Sequence, residues 1–319
     1  MKEISITDIE GIKVGHAQDF DAGTGCTVLI CEKGAYAGVD VRGGAPASRE
    51  TQLLNPVNLV EQIHAVALSG GSAFGLDCAA GVMEYLEKND IGFDVQVTKV
   101  PIVCGASLFD LTVGDHKIRP DKEMGYKACE NATNKECLQG SIGAGTGATV
   151  GKLHGMDRTM RGGIGVYGVQ VGDLKVASIV AVNCLGDVLN PETGERVAGL
   201  LDEEKKKVVS TEEEMYRQYD NKKNLFSGNT TIGIVVTNGK LNKAQATKIA
   251  SMTQNGFARA MRPAHSMFDG DTIYALSTAE VDADINVIGA LGADTMAQAV
   301  YRGVITADGG YGIKAYKDL

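Results

Sequence analysis

Tryptophan is absent from this 319-residue chain, aromatic residues make up only 5% of it, and there are just six prolines. So few flat rings leave few platforms on which bases or sugars could stack. Basic stripes are missing too. The formal charge is −9 and no Lys/Arg-rich segment occurs, so neither nucleic acid nor an anionic membrane is an expected partner. No apolar run approaches the ~18 residues of a spanning helix. The opening MKEISITDIEGIKVGHA carries acids where a secretory signal needs its apolar stretch. Seven cysteines, at 26, 31, 78, 104, 129, 137 and 184, form no C-x-x-C and sit among small or apolar neighbours. They read as reduced core thiols of a cytoplasmic protein. The five histidines are scattered, with no i, i+4 pair, so no zinc site and no cofactor is expected.

Glycine is what the chain has in abundance. Its 41 glycines fall in short clusters with no G-X-Y period, which signals tight turns and close backbone approaches. With 44% hydrophobic and 22% charged residues, the composition is that of a soluble globular protein. The length suits one large α/β (α+β) unit spanning residues 1–319.

Apolar periodicity and turn residues give a coarse map. Thr27 to Cys31 and Ala35 to Val41 read as two strands joined by a Glu32-Lys33-Gly34 turn. An apolar run at 59–68 leads through Ser69-Gly70-Gly71-Ser72 into a helix from about Ala73 to Lys88. That helix buries Phe74, Ala80, Val82, Met83 and Leu86 and ends at Asn89. Residues 164–183 form a hairpin turning at Gly172-Asp173. Residues 202–223 are mostly charged, as a solvated helix or tether would be. Beyond them come a strand at 230–237, a helix near 242–260, a strand at 272–278 and a helix near 284–300. The result is a mixed sheet with outer helices and no strict βαβ alternation.

Several motifs fail on inspection. Gly143-Ala144-Gly145-Thr146-Gly147-Ala148 fits G-x-G-x-x-[GA], yet no clear strand precedes it and no acid follows at the distance dinucleotide binding requires. Asp282-x-Asp284-x-Asn286 opens like a calcium loop. Val287 stands where glycine is needed and Ala293 where a glutamate is needed, so these acids read as helix caps. Asp269-Gly270-Asp271-Thr272 passes, alone, for a surface turn. Gly228-Asn229-Thr230-Thr231 is different. It joins a charged connector to an apolar strand, where self-cleavage would give Thr230 a free α-amino group beside its hydroxyl.

These stretches together resemble the P1-family peptidases, the DmpA-type aminopeptidase/esterase and nylon-oligomer-hydrolase family. The resemblance runs through Val14-Gly15-His16, Thr24-Gly25-Cys26-Thr27, Gly38 to Pro46, Leu68 to Asp77, Arg119-Pro120, Gly125-Tyr126, Gly143 to Lys152, Val182-Asn183, Asn229 to Ile232 and Asp269 to Thr272. It covers nearly the whole chain in order. It implies an αββα sandwich related to the N-terminal-nucleophile (Ntn) hydrolases, and autocleavage into chains 1–229 and 230–319. Thr230 matches the nucleophile, Lys152 and Asn183 match polar partners, and Asp269 and Asp271 match an acidic pair. Tyr126 is a candidate substrate contact. The Thr and Asp/Asp combination looks more like the nylon-oligomer hydrolase branch. A small peptide or amide substrate and a homo-oligomer of αβ units, tetrameric or larger, are also implied.

The expected chemistry is amide or ester hydrolysis through an acyl-enzyme. Asn183 would donate to the oxyanion, and the Thr230 amine, with an ordinary pKa of ~7.7–8.0, would act as base. Lys152 would stabilise developing charge, with Asp269 and Asp271 offsetting it. The rival readings are an acyltransferase of the ornithine acetyltransferase type and an uncleaved, non-catalytic binding protein of the same fold.

Overall fold

The computed structural model describes residues 1–219 and 228–319. Nine strands carry the architecture: β1 (Lys2–Ile4), β2 (Ile12–Asp19), β3 (Thr24–Val41), β4 (Gln62–Ser69), β5 (Val103–Ser107), β6 (Gly163–Val171), β7 (Leu174–Val182), β8 (Ile232–Gly239) and β9 (Thr272–Val281). They hydrogen-bond in the order β1-β6-β7-β8-β9-β3-β4-β5, with β2 also on β3. The helices are α1 (Cys78–Lys88), α2 (Lys122–Glu130), α3 (Thr211–Arg217), α4 (Lys243–Ala260) and α5 (Ile285–Ile305).

Strand β3 joins two layers. Its second half, Tyr36 to Val41, pairs with β9, whereas its first half, Thr24 to Cys31, pairs with β2. The Glu32-Lys33-Gly34 segment is therefore not a hairpin turn. Both halves stay on β4, Ile30 opposite Ala65 and Ala35 opposite Ile63, and the residues between them bulge out. Gly34 takes the left-handed backbone that this bulge needs.

Strand alternation sorts the apolar side chains into three cores. Along β8, Ile232, Ile234 and Val236 enter a middle core with Ile179, Leu29 and Val66, between the two sheets. Val235 points the other way, to a core shared with Phe257 of α4 and Val300 of α5. Val28 and Ile30 pack beneath Val82 and Leu86 of α1. Both faces of the strands are covered, which is why they read as nearly unbroken apolar runs. The layers are α4/α5, sheet, sheet, α1/α2, the expected αββα sandwich.

The hairpin at 163–182 turns at Gly172, and α4 and α5 begin at the caps Asn242 and Asp284. The first helix starts later than its pattern suggests. Residues 72–77 form a tight 3-10 turn, leaving Phe74 exposed under the Arg119 guanidinium, 4.1 Å from its ring centre. Within the charged stretch only residues 211–217 form an α-helix among the described residues, α3, capped by Ser210. Residues 220–223 of that stretch lie outside those described. All seven cysteines are buried and free. Among the described residues no helix is long and apolar enough to cross a membrane.

Candidate active site

Strand register assembles the site. Antiparallel pairing sets Ala181 of β7 opposite Ile232 of β8. Two residues beyond, the Thr230 N–H donates to the Asn183 carbonyl at 2.9 Å. On the other side of β8, parallel pairing aligns Ile232 with Thr272 of β9, and a further bridge pairs Asn229 with Asp269. The end of β7 and the starts of β8 and β9 thus bring Asn183, Thr230, Asp269 and Asp271 together. Lys152 arrives from a loop running along residues 185–186, its N–H on the Leu185 carbonyl at 3.0 Å.

All five side chains are buried. Burial of polar groups is costly unless they are bonded, and most of these are. Lys152 Nζ donates to the Asn183 carbonyl at 3.0 Å and to Asn183 Oδ1 at 2.8 Å. The Thr149 N–H reaches the same Oδ1 at 3.0 Å. Asp271 accepts from the Thr231 N–H at 2.9 Å and the His265 N–H at 3.0 Å, with the His265 ring also 3.0 Å away. Asp269 accepts from the Ser266 N–H at 2.7 Å, while its Oδ1 is buried with no donor among the described residues.

Burial sets the protonation of this cluster. Desolvation lowers the Lys152 ammonium to about 7, against the opposing pull of nearby acids. Desolvation, and then the neighbouring charge of Asp271, raise Asp269 to about 6. Asp110, buried beneath the glycine loop, is likewise raised to about 6 by desolvation. It accepts from Thr24 and from the Gly71 N–H, both at 2.7 Å. Burial thus moves an amine and two carboxyls of one buried region toward neutrality, an arrangement suited to proton transfer.

The peptide between Asn229 and Thr230 sits at the centre. The Thr230 hydroxyl donates to the Asn229 carbonyl oxygen, and the Gly270 N–H donates to the same oxygen at 3.1 Å. Gly270 has no room for a side chain, since a Cβ there would lie 2.7 Å from Thr230 Oγ1. Chemically, this is a hydroxyl beside an amide carbonyl whose oxygen already has a donor.

The Asn183 side-chain N–H donates to the Phe109 carbonyl at 3.0 Å, and the donor at the Asn229 carbonyl is the Gly270 backbone. Tyr126 lies elsewhere, on α2, with Tyr85 5.5 Å and Lys88 4.7 Å from its ring. No contact joins it to the Thr230 cluster among the described residues, and it borders a hollow with Asp121, Glu123 and Lys127. Sequence reasoning missed Phe109, Asp110, Thr149, His265 and the Gly270 N–H. Asp110 stands in Phe-Asp-Leu, with no spacing to flag it. The Gly143 segment, which mimics a dinucleotide loop, is a buried 3-10 turn whose N–H groups serve Gln18 and Thr27.

The solved structure of an L-aminopeptidase D-Ala-esterase/amidase from Ochrobactrum anthropi, described as a variant of the Ntn-hydrolase fold, superposes with a TM-score of 0.71. It does so at 16% identity, over 95% of this chain and 86% of its own. The layered architecture is thus that of the Ntn hydrolases. In sequence, an uncharacterised aminopeptidase of Mycobacterium leprae is 39% identical, over 98% of this chain and 93% of its own length. A 6-aminohexanoate-oligomer endohydrolase of Kocuria sp. is 30% identical, over 86% of this chain and 75% of its own. The profile of peptidase family S58 matches residues 5–317, and the chain belongs to that family. It is a hydrolase of amide bonds.

Proposed function

We propose that the chain cuts itself between Asn229 and Thr230 and then hydrolyses small peptide-like amides with Thr230 as an N-terminal nucleophile. One observation carries this reading: the Thr230 hydroxyl lies on the carbonyl of its own peptide bond, and the Gly270 N–H holds that oxygen. In the first step Thr230 Oγ1 attacks the Asn229 carbonyl carbon, with charge on the oxygen met by Gly270. The C–N bond breaks, the nitrogen takes a proton, and an ester joins Asn229 to Thr230. Water hydrolyses the ester, leaving an Asn229 carboxylate and a free Thr230 amine. Lys152, near half neutral at pH 7, supplies a base in the same cluster.

In the mature enzyme the Thr230 amine takes over as base, still oriented by the Asn183 carbonyl. Attack on a substrate amide forms an acyl-enzyme and releases an amine, and water then releases the acid. Asp269 Oδ1 suits a substrate ammonium group. The named relatives divide between aminopeptidases and an oligomer endohydrolase, and the unpartnered Asp269 Oδ1, as a seat for a substrate ammonium group, favours the aminopeptidase mode.

The test compares wild type with Thr230→Ala on amino-acyl p-nitroanilides, with Edman sequencing of both proteins. The reading expects a second N-terminus at Thr230 and p-nitroaniline release, and neither in the variant. An active Thr230→Ala enzyme would sink it. If added ornithine diverted the product into acyl-ornithine, the enzyme would instead be an acyltransferase.

A further inference from the structure

Resting on that proposed reaction, we infer that Phe109 is the wall of the acyl subsite. It confines the enzyme to substrates whose cleaved residue is amino-terminal or is preceded by an unsubstituted residue such as glycine. If the chain is its own first substrate, residues 228–229 display how an acyl segment lies in the site. The backbone of Asn229 is gripped on both sides: its N–H faces the Phe268 carbonyl at 3.4 Å, and its carbonyl takes the Gly270 N–H at 3.1 Å. This bridge fixes the residue whose carbonyl is attacked.

One residue upstream, the path is closed. A Cβ on Gly228 would fall 2.2 Å from Cγ of the Phe109 ring and 2.5 and 2.6 Å from its two Cδ atoms. That contact meets the root of the ring, so a small rotation of χ2 does not relieve it. Nor does the backbone of this segment yield easily. The Phe109 carbonyl holds Asn183 at 3.0 Å, the Leu108 N–H is bonded to Ser69 at 2.8 Å, and Asp110 is clamped by Thr24 and Gly71. A free amino terminus has no upstream residue to clash, and its charge finds the unpartnered Asp269 Oδ1. The wall therefore admits an amino-terminal residue or one preceded by glycine, and rejects an upstream residue that carries a side chain.

The mature enzyme is assayed on H-Asn-, Ac-Gly-Asn- and Ac-Ala-Asn-p-nitroanilide, the acetyl caps preventing stepwise removal. Wild type should cleave the first two. The alanine substrate should lose roughly ten- to a hundredfold in kcat/KM, the range an overpacked contact produces. Phe109→Ala should shrink that ratio to about threefold or less, whatever its effect on absolute rate. In cis, Gly228→Ala should slow self-cleavage, and Phe109→Ala added to it should restore the rate. Equal cleavage of the Gly and Ala substrates by wild type, or a ratio that Phe109→Ala leaves unchanged, overturns the inference while sparing the proposed function. A chain that neither cuts itself nor releases p-nitroaniline overturns both.

Discussion

Replacing Lys152 with methionine probes the electrostatics on which the site depends. Burial brings its ammonium from 10.5 to about 7. Between those values the folded chain holds a neutral amine, whereas the unfolded chain still carries the proton. The unfolded state then binds one more proton, so folding stability rises with pH across this window and is lost as pH falls toward 7. The slope for one proton is ~1.4 kcal/mol per pH unit. The comparison is made in a Thr230→Ala background, which keeps the chain intact. Over about two pH units, from about 7.5 to 9.5, Thr230→Ala should gain roughly 2.7 kcal/mol relative to Thr230→Ala/Lys152→Met. Asp110 and Asp269, near 6, titrate below this range. The sign at any single pH is less telling. Methionine removes a desolvation penalty but takes one donor from each of two Asn183 acceptors, which keep the Thr230 and Thr149 N–H groups, a loss of about 1 kcal/mol per hydrogen bond. Urea titrations followed by far-UV circular dichroism at stepped pH measure the difference. A flat difference would mean that Lys152 stays protonated in the fold, and the reasoning fails.

Other consequences are equally direct. With Lys152 as the proposed base, self-cleavage followed by gel densitometry should speed up as pH rises through about 7 and then level off. Gly270→Ala sets a Cβ 2.7 Å from Thr230 Oγ1. It should slow self-cleavage by roughly ten- to a hundredfold, with an unchanged circular dichroism spectrum. Phe257→Ala empties a fully buried position between α4 and the sheet. Chemical denaturation should show a loss of roughly 3–5 kcal/mol.

Local signals carried much of the architecture. The 163–182 hairpin is legible because alternation and a Gly-Asp turn agree, and α4 and α5 because a capping residue precedes each apolar period. Glu32-Lys33-Gly34 misleads because a bulge and a hairpin turn use the same residues. Only the partner strand β4, distant in sequence, decides between them. Phe74 misleads because its helical period is real but the chain there winds as a 3-10 turn. Of the five residues matched by resemblance, Asn183, Thr230, Asp269 and Asp271 converge because the registers of β7, β8 and β9 align their ends, and Lys152 joins them from a loop beside Leu185. The Gly270 N–H has no side chain to announce it, and Asp110 and His265 gain significance only from what lies across from them.

The most direct measurement is the intact mass of freshly purified wild-type protein, taken alongside an amide-hydrolysis assay of the same sample. Two polypeptides corresponding to 1–229 and 230–319, present in an active preparation, are the predicted result. A single uncut chain that turns over amides would contradict the account, because Thr230 would then have no free amine with which to act.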